Sequence, residues 1–533
     1  MAQTGANEAS QSLISAWRWR LPPAIISLVL ILISVDPFIG DWDALEYTLS
    51  ALRGRPSSMA LGRSLFIFYN HAIYVVAHAL FNVPPQHAYL LFKYAVVAQG
   101  VLTVIASWIL ARDLSAYCPT SLSLSNFQLA TVAALLVAFS PVFVIYSGQV
   151  MTDVPAMLLL AVALILHLRG IRQKQVWMIM SGAALLGAGV NLRETVGLYG
   201  FWLVLVPFVC GWKLRRRDVA MIALSCLIFL LFAFGGFAYW FLTDPGYRAA
   251  WYGWRESMRV ESMRHPASLR NVVPWLAFFF ATSPLILITL PFGFISEWRR
   301  RRLSPMLLLA ILGLLANVLL LFNYSTSVGW RYLLTGLPAL APLSADFLAR
   351  TLTMRFGSAR AALITATTAI VIIAVAFGVF LWPLRNAQVQ VRAAAKEYDV
   401  QLRILPRDAV MISGAQTVAV MYWRGLGEGD WEVIGPGAGW PESRLASVIE
   451  NYLARGRRVF LDADPRWWQP CGWHVPEIEE LVTLESRFRF RRVAPTIYEI
   501  RPASDPTAID TPDLKKLLPE SRAEEEKRCL NPE

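Results

Sequence analysis

Acidic residues cluster directly after the first apolar segment, where they are candidates for acid–base chemistry. The stretch Asp36-Pro-Phe-Ile-Gly-Asp41-Trp-Asp43-Ala-Leu-Glu46-Tyr47 holds three aspartates and a glutamate. Carboxylates beside a membrane can act as a general base on a hydroxyl or can bind a divalent cation. Acidic residues are also common at a helix start, where they favour the helix dipole. The stretch therefore nominates Asp43 and Asp41 without deciding between the two interpretations.

A second acidic candidate opens a later apolar segment. The sequence Ser140-Pro141, followed by Tyr146-Ser-Gly-Gln-Val-Met-Thr152-Asp153-Val154-Pro155, places Asp153 at the start of that segment. Asp153 is a candidate for chemistry because an ionisable group at membrane depth is costly unless it has a function. The alternative is that Thr152 or Asp153 only caps the helix.

Two arginines lie in turns between later apolar segments. Arg193 and Glu194 occupy a tight turn, where they could instead reach to the membrane surface or pair with each other. Arg331, followed by Tyr332, begins a segment that we expect to be helical, and a cation at a helix start is disfavoured by the dipole. A bound anion or an acidic partner would explain Arg331.

A further loop, 244–270, combines arginines with aromatic residues that suit a membrane interface. It contains Arg248, Arg255 and Arg259 together with Tyr247, Trp251, Tyr252 and Trp254. These arginines are candidates to hold a phosphate that enters from the lipid. The alternative is a structural helix in which they pair with Glu256 and Glu261.

These residues need a membrane-embedded scaffold. The chain has 56% hydrophobic and 16% charged residues and a mean hydropathy of +0.47, whereas a soluble chain carries about 25% charged residues. Because a spanning helix needs about 20 apolar residues, we predict about eleven spans, at 21–37, 88–111, 126–146, 154–168, 176–190, 197–212, 219–242, 271–295, 304–323, 331–349 and 361–383.

The segment 64–82 is predicted to lie in the membrane interface rather than to span. Asn70, Tyr74, His78 and Asn82 recur every four residues, with His71 beside them, and form one polar stripe on an apolar helix. If this segment does not span, the clusters Lys213–Arg217 and Arg299–Arg302 fall on the same side as the N-terminus. That arrangement obeys the positive-inside rule. It places the N-terminus in the cytoplasm and the candidate site residues outside.

The net charge of +12 does not indicate a nucleic-acid partner, because the positive residues lie in short clusters between apolar runs. The five cysteines show no metal-ligand spacing. No small-residue cleavage site follows the first apolar run, so we expect a retained helix rather than a signal peptide.

The composition changes near residue 383. We predict a membrane-embedded domain over 1–383, a small extracytoplasmic α/β accessory domain over 384–502, and a disordered tail over 503–533. Asp462 and Asp464, at the end of a predicted strand, are the only hint of chemistry in the second domain.

The order of these motifs resembles that of the GT-C glycosyltransferases, in particular the protein-mannosyltransferase and aminoarabinose-transferase group. The first outer loop of those enzymes is similar to Asp43-Ala-Leu-Glu46-Tyr47 followed by Gly54-Arg55-Pro56. Their second-loop Thr-Asp-x-Pro and late Arg-Tyr-Leu motifs resemble Thr152–Pro155 and Arg331–Leu333. The sequence departs from the group where Ala44 follows Asp43, in place of the usual Asp-Glu.

The resemblance implies an inverting transfer of a hexose or pentose from a polyprenyl-phosphate donor to an extracytoplasmic lipid, glycan or protein. Asp43 would act as the base, Asp153 would assist, and Arg193 and Arg331 would hold phosphate; Glu194, Tyr332 and His71 are further substrate-binding candidates. No cofactor is required with certainty, and a divalent cation remains an open alternative. Donor, acceptor and membrane lipids are the expected partners, and the plasma membrane of a bacterium is the expected location.

Two other functions fit parts of the sequence. A secondary transporter would also have many spans and buried charges, but it commonly shows inverted repeats and helices broken at mid-membrane. A lipid-linked polysaccharide ligase or polymerase would share the topology and the arginines, but it usually has a larger late outer loop.

Overall fold

The computed structural model describes residues 2–39, 42–117, 125–213, 215–264, 269, 272–299, 303–321, 326–414, 417–434, 442–468, 478–506, 510 and 512–517. The chain divides into two compact units. The first comprises Met1–Asp36, Gly54–Asn82 and Tyr89–Trp382. The second comprises Pro37–Arg53, Val83–Ala88 and Pro383–Glu533. The sequence did not indicate that two short N-terminal segments belong with the C-terminal unit.

The helices follow one another with short connections. In chain order they are α1 Ala2–Ser34, α2 Trp42–Arg53, α3 Ser64–Phe81, α4 Ala88–Ser115, α5 Asn126–Ala138, α6 Pro141–Tyr146, α7 Asp153–Gln173, α8 Val176–Leu192, α9 Gly200–Val209, α10 Arg216–Thr243, α11 Pro245–Arg264, α12 Val272–Thr282, α13 Pro284–Arg299, α14 Pro305–Leu321, α15 Leu337–Phe356, α16 Ala359–Ile404, α17 Thr417–Gly425, α18 Glu442–Ala454, α19 Pro465–Trp468 and α20 Ile478–Arg487. Short 3₁₀ helices cover Pro85–His87, Glu194–Tyr199, Thr326–Gly336 and Leu514–Leu517.

The chain is an α-helical polytopic membrane protein with a small sheet, as predicted. Among the described residues, seven helices are long and apolar enough to cross a membrane, or eight if α12 and α13, bent by 105°, form one span. Shorter apolar helices occur at Asn126–Ala138, Val176–Leu192, Glu194–Val209 and Pro305–Val318. The count of eleven spans stays a prediction.

Helix α3 keeps its predicted polar stripe. The Asn70 side chain donates a hydrogen bond to the Phe66 carbonyl at 2.9 Å, and the rings of Tyr74 and His78 stack at 5.6 Å. The helix also satisfies the length and hydropathy that a span requires. Its interfacial position therefore stays a prediction.

Helix α8 packs tightly against both α7 and α10. Glycines allow the close approach. A Cβ at Gly187 of α8 would lie 2.3 Å from the Phe229 carbonyl oxygen of α10, and one at Gly182 would lie 2.8 Å from the His167 backbone nitrogen of α7. Small residues bring helix backbones together in this way because lipid supplies no hydrophobic driving force between helices.

The second unit contains a five-stranded sheet of order β2-β1-β3-β5-β4. Its strands are β1 Val410–Ile412, β2 Glu432–Ile434, β3 Val459–Asp462, β4 Phe488–Arg492 and β5 Ile497–Pro502. Strands β2, β1 and β3 run parallel, whereas β5 is antiparallel to both β3 and β4. Buried residues of α18 and α20, including Leu445, Ile449 and Leu484, pack against one face of this sheet.

We expect Gly187→Ala to lower stability, because the new methyl group would press on backbone rather than on a flexible side chain. Overpacking of this kind costs about 1–3 kcal/mol. The matched control is Gly235→Ala in α10, where an added Cβ meets Leu231 at an ordinary 3.6 Å. Thermal unfolding of the two detergent-solubilised variants measures the difference, and equal midpoints would contradict the close packing of α8 on α10.

Candidate functional site

Arg63 lies at the start of α3 in a conformation that arginine rarely adopts. Its φ of 48° is in the left-handed region, which costs a non-glycine residue about 1–2 kcal/mol. Only 5% of the residue is exposed. Its Nη1 donates to the Leu192 carbonyl at 2.7 Å and lies 2.8 Å from Glu194 Oε1. The strained backbone indicates that an arginine is retained here for the contacts of its side chain and not for its backbone conformation.

Asp153 forms a buried ion pair with Arg193. Its Oδ1 lies 2.5 Å from Arg193 Nη2, and the two side chains are 0% and 6% exposed. Neither carboxylate oxygen makes a well-aligned hydrogen bond within the described part of the chain, and neither does Arg193 Nε. The Thr152 side chain makes no capping hydrogen bond to α7. The capping interpretation is therefore wrong for Thr152, and Asp153 instead neutralises a buried cation.

Arg331 completes the group. Its guanidinium carbon lies 5.2 Å from the centre of the Tyr332 ring, and that of Arg193 lies 4.6 Å from the same ring. Arg331 Nη1 also lies 3.4 Å from Met151 Sδ. Arg331 lies within the 3₁₀ helix Thr326–Gly336, which runs directly into α15, and the apolar span Arg331–Phe356 begins at this residue. Because the α-helix itself begins six residues later, the dipole argument for a bound anion does not apply at Arg331.

We call Arg63, Arg193 and Arg331 the arginine cluster; they are 5%, 5% and 6% exposed. Arg193 interacts electrostatically with the other two. Two carboxylates face the three cations, and the side chain of Glu194 is 46% exposed. The cluster therefore gathers three buried guanidiniums in one place. Such a group can bind an anionic ligand through charge-assisted hydrogen bonds.

The partners of Arg193 and Glu194 differ from one sequence-based alternative, in which the two side chains pair with each other. Arg193 pairs instead with Asp153, and Glu194 with Arg63. A hydroxyl pair, Thr195 and Thr335 at 3.2 Å, joins the two 3₁₀ helices that carry Glu194 and Arg331. Asp153, Arg193, Glu194, Arg331 and Tyr332 are thus brought together as candidates.

Asp43 belongs to the second unit. It is half-buried near the start of α2, and it has interactions of its own. Leu45 and Leu49 of the same helix pack against Ala419 and Tyr422 of α17. The second unit therefore includes the helix that carries Asp43. Asp41 lies outside the described residues.

The loop arginines lie on the amphipathic helix α11. Arg248 lies 6.0 Å from the Phe241 ring and Arg255 lies 5.8 Å from the Trp251 ring. Within the described residues neither side chain makes a hydrogen bond or an ion pair, whereas the Arg259 side chain pairs with Glu256 at 2.6 Å. Trp251 Nε1 donates to the Ala60 carbonyl at 2.8 Å. Helix α11 thus supports the turn that leads into Arg63.

His71 belongs to helix α3. Its ring packs beside Gly54, where an added Cβ would lie 3.1 Å from His71 Cε1. Gly54 has a φ of 61°, which glycine adopts without strain. His71 thus contacts the end of the first outer loop, and its predicted role in substrate binding stays a prediction.

The structure resembles solved structures over nearly its whole length. ArnT from Cupriavidus metallidurans bound to undecaprenyl phosphate has a TM-score of 0.54 and 15% identity, over 91% of this chain and 98% of that chain. The archaeal oligosaccharyltransferase AglB from Archaeoglobus fulgidus, in complex with an inhibitory peptide and a dolichol-phosphate, has a TM-score of 0.51 and 12% identity, over 91% and 74% of the two chains.

The chain has the GT-C fold. The apo form of the Archaeoglobus fulgidus enzyme is similar to the same degree, with a TM-score of 0.53 and 13% identity, over 92% of this chain and 74% of that chain. No protein-family profile and no curated protein sequence matches the chain. The predicted fold is therefore confirmed by structure rather than by sequence similarity.

Sequence reasoning missed three buried charged or polar groups of this GT-C fold. Arg63 was not singled out. Lys93 of α4, only 1% exposed, donates to the Asp36 carbonyl at 2.7 Å and to Asp36 Oδ1 at 3.2 Å. Gln149 Nε2 donates to Asp36 Oδ2 at 3.3 Å. The sequence did offer one sign of the contact between Lys93 and Asp36, because Lys93 is a lone lysine in the apolar stretch 88–111.

Metal binding stays open. No group of three or more His, Cys, Asp or Glu is placed to hold a metal ion, as far as the described residues extend. Asp153, which could supply one ligand, is already paired with Arg193. The divalent cation thus remains the untested alternative stated from the sequence.

We expect Gly425→Val to loosen α2 from α17. A Cβ at Gly425 would lie 2.3 Å from Leu49 Cδ1 and 2.8 Å from Arg53 Nη2, so the larger side chain must push α2 away. Overpacking costs about 1–3 kcal/mol, and hydrogen exchange in α2 should become faster. Adding Leu49→Ala should restore the slow exchange, because it makes room for the valine.

The control for this experiment is Gly378→Val in α16, where nothing lies within 4 Å of an added Cβ. Unchanged exchange in α2 of Gly425→Val would show that Leu49 does not dock on α17.

Proposed function

We propose that this protein is a membrane glycosyltransferase that moves a sugar from a polyprenyl-phosphate donor to an extracytoplasmic acceptor. The observation that carries the proposal is the arginine cluster within a GT-C fold. Arginine suits phosphate because its planar guanidinium can donate two parallel hydrogen bonds to phosphate oxygens. Fold similarity alone does not assign an activity, so the cluster supplies the chemical argument.

The cluster has the charge that a lipid phosphate needs. Three guanidiniums lie in one buried group with the carboxylates of Asp153 and the half-exposed Glu194. In a site of low dielectric these cations attract an anion more strongly than they would in water. Asp153 orients Arg193 through its 2.5 Å contact, and the guanidiniums of Arg193 and Arg331 both lie beside the Tyr332 ring.

The transfer itself requires a base and a stabilised leaving group. In the proposed reaction Asp43 accepts the proton of the acceptor hydroxyl, whose oxygen then attacks the anomeric carbon of the donor sugar. The bond between that carbon and the phosphate oxygen breaks, and its electron pair remains on the phosphate. Arg63, Arg193 and Arg331 would stabilise the charge that develops on this leaving group. Attack from the opposite side inverts the anomeric centre.

Helix α11 is proposed to receive the donor from the lipid. Arg248 and Arg255 lie beside aromatic rings and make no ion pair within the described chain, so their guanidiniums can meet a phosphate. Arg259 is excluded from this role because Glu256 already neutralises it. The contact from Trp251 to Ala60 links α11 to the turn that carries Arg63.

The remaining expectations belong to the same proposal. The GT-C fold gives no support to the transporter alternative. No specific observation favours the alternative of a polysaccharide ligase or polymerase. We infer that the site faces away from the cytoplasm at a bacterial plasma membrane, with the second unit as an accessory domain.

We expect Arg331→Gln to raise the KM for a polyprenyl-phosphate sugar by about tenfold or more. A hydrogen bond to a charged group contributes about 1.5–3 kcal/mol, and about 1.4 kcal/mol is tenfold. The KM for the acceptor should change little. Arg255→Gln tests the entry role of α11 in the same assay, and Arg259→Gln, whose side chain is already paired, is the control. A change in acceptor KM alone would argue against phosphate binding by Arg331.

Asp43→Asn tests the transferase activity itself. It keeps the size of the side chain and removes the base, so we expect kcat to fall by about 10²–10⁴-fold with little change in the donor KM. Asp408→Asn, an exposed aspartate of the same unit, is the matched control. Transfer of radiolabelled sugar in purified, lipid-reconstituted protein gives the measurement. Full activity of the Asp43 variant would refute its role as base.

A further inference from the structure

Strand β4 presents arginine on its solvent side. Phe488 and Phe490 are buried, whereas Arg489, Arg491 and Arg492 are exposed. The strand lies at the edge of the sheet, where β5 is its only hydrogen-bonded neighbour among the described strands. The side chains of Arg489 and Arg491 therefore project from one face of the sheet, opposite to the phenylalanines.

The register of the sheet adds more arginine to this face. Arg489 lies directly opposite Arg501 of β5, and Arg491 lies opposite Glu499. Arg458, which precedes β3, reaches the same carboxylate, with its Nε 2.6 Å from Glu499 Oε1. We call Arg458, Arg489, Arg491 and Arg501 the basic sheet face.

The carboxylates of this region are already in use. Glu499 is 1% exposed and also accepts a hydrogen bond from Arg501 Nη2 at 2.9 Å. Burial alone would raise the pKa of Glu499, but the hydrogen bonds from Arg458 and Arg501 outweigh it and lower that pKa. Arg501 pairs further with Asp505 at 3.5 Å. Arg489 and Arg491 make neither ion pairs nor hydrogen bonds to side chains within the described chain.

Sheet stability does not explain this arrangement. Like charges directly opposite each other on paired strands are destabilising, and Arg489 with Arg501 is such a pair. Charge on an edge strand does prevent edge-to-edge aggregation. That function needs a few charges of either sign, however, and it does not require three arginines on two paired strands with a fourth directly before β3.

We propose that the basic sheet face binds an anionic glycan chain. Across strands, facing residues are about 5 Å apart, and along a strand every second residue recurs at about 7 Å. A flat array of cations with these intervals can contact an extended polymer whose sugars carry carboxylate or phosphate groups. Guanidiniums bind both groups through paired hydrogen bonds. Binding of the glycan to this face does not depend on the proposed transferase activity.

The composition of the face favours a polysaccharide over a lipid surface. Segments that bind a bilayer at its surface combine basic residues with inserted Trp, Phe or Leu. In residues 481–506, whose side chains are all described, no large apolar side chain is exposed. The face therefore provides charge without an apolar anchor, which suits a hydrated, charged chain.

The test uses the full chain in nanodiscs of uncharged phosphatidylcholine, with polygalacturonate as the anionic glycan and dextran as the neutral one. We expect binding of polygalacturonate, measured by calorimetry, that weakens as salt is added, because salt screens exposed charges. Dextran should not bind. Arg489→Glu should weaken polygalacturonate binding by about tenfold or more, since it replaces attraction with repulsion.

The Arg489→Glu substitution also distinguishes a loss of glycan binding from a loss of folding. A glutamate opposite Arg501 replaces a repulsive cross-strand pair with an attractive one, so the thermal midpoint of Arg489→Glu should be equal to or above that of the parent. Arg455→Glu, at an exposed arginine that follows α18, makes the same charge change and should leave binding nearly unchanged.

Three outcomes would overturn the proposal. Polygalacturonate could fail to bind, the Arg489 and Arg455 variants could lose binding equally, or the parent could bind phosphatidylglycerol vesicles through Arg489 without binding the glycan. Each result can be read without a transferase assay, so it does not depend on the outcome for Asp43.

Discussion

The constraint on which the first unit depends is the cost of keeping three arginine side chains away from water. Removing an ion from water costs several kcal/mol even after relaxation of the protein. The fold offsets this cost with the Asp153 carboxylate, the Leu192 carbonyl, Glu194 and the Tyr332 ring. These groups come from α7, the end of α8 and two 3₁₀ helices. Removing any one element would weaken the compensation of at least one cation, so the packing of these elements is interdependent.

The 3₁₀ geometry at two of these positions follows from the same requirement. A regular α-helix satisfies its own backbone and directs successive side chains around its axis. The segments Glu194–Tyr199 and Thr326–Gly336 instead turn tightly at the end of apolar helices. Both place a charged residue next to an aromatic or hydroxyl partner, and the contact between Thr195 and Thr335 fixes one segment against the other.

The sequence predicted the helical scaffold well because hydropathy and positive charge are local properties of the chain. It also selected Asp153, Arg193 and Arg331, since ionisable residues at the ends of apolar segments are conspicuous. It could not identify their partners. Arg63 and Leu192 are 129 residues apart, and Lys93 and Asp36 are 57 apart, so these contacts arise only from tertiary packing. For the same reason the sequence could not predict that α2 belongs to the second unit, because Leu49 and Tyr422 come together only in the folded chain.

The left-handed backbone at Arg63 has a consequence for how this position can vary. Glycine would adopt a φ of 48° without strain, and asparagine would do so more easily than arginine. Under selection for thermal stability alone, Arg63 should therefore be replaced by glycine or asparagine. Under selection for a cation in the cluster, arginine should be retained. A library screened first for heat resistance and then for function would expose position 63 as a point where the two demands conflict.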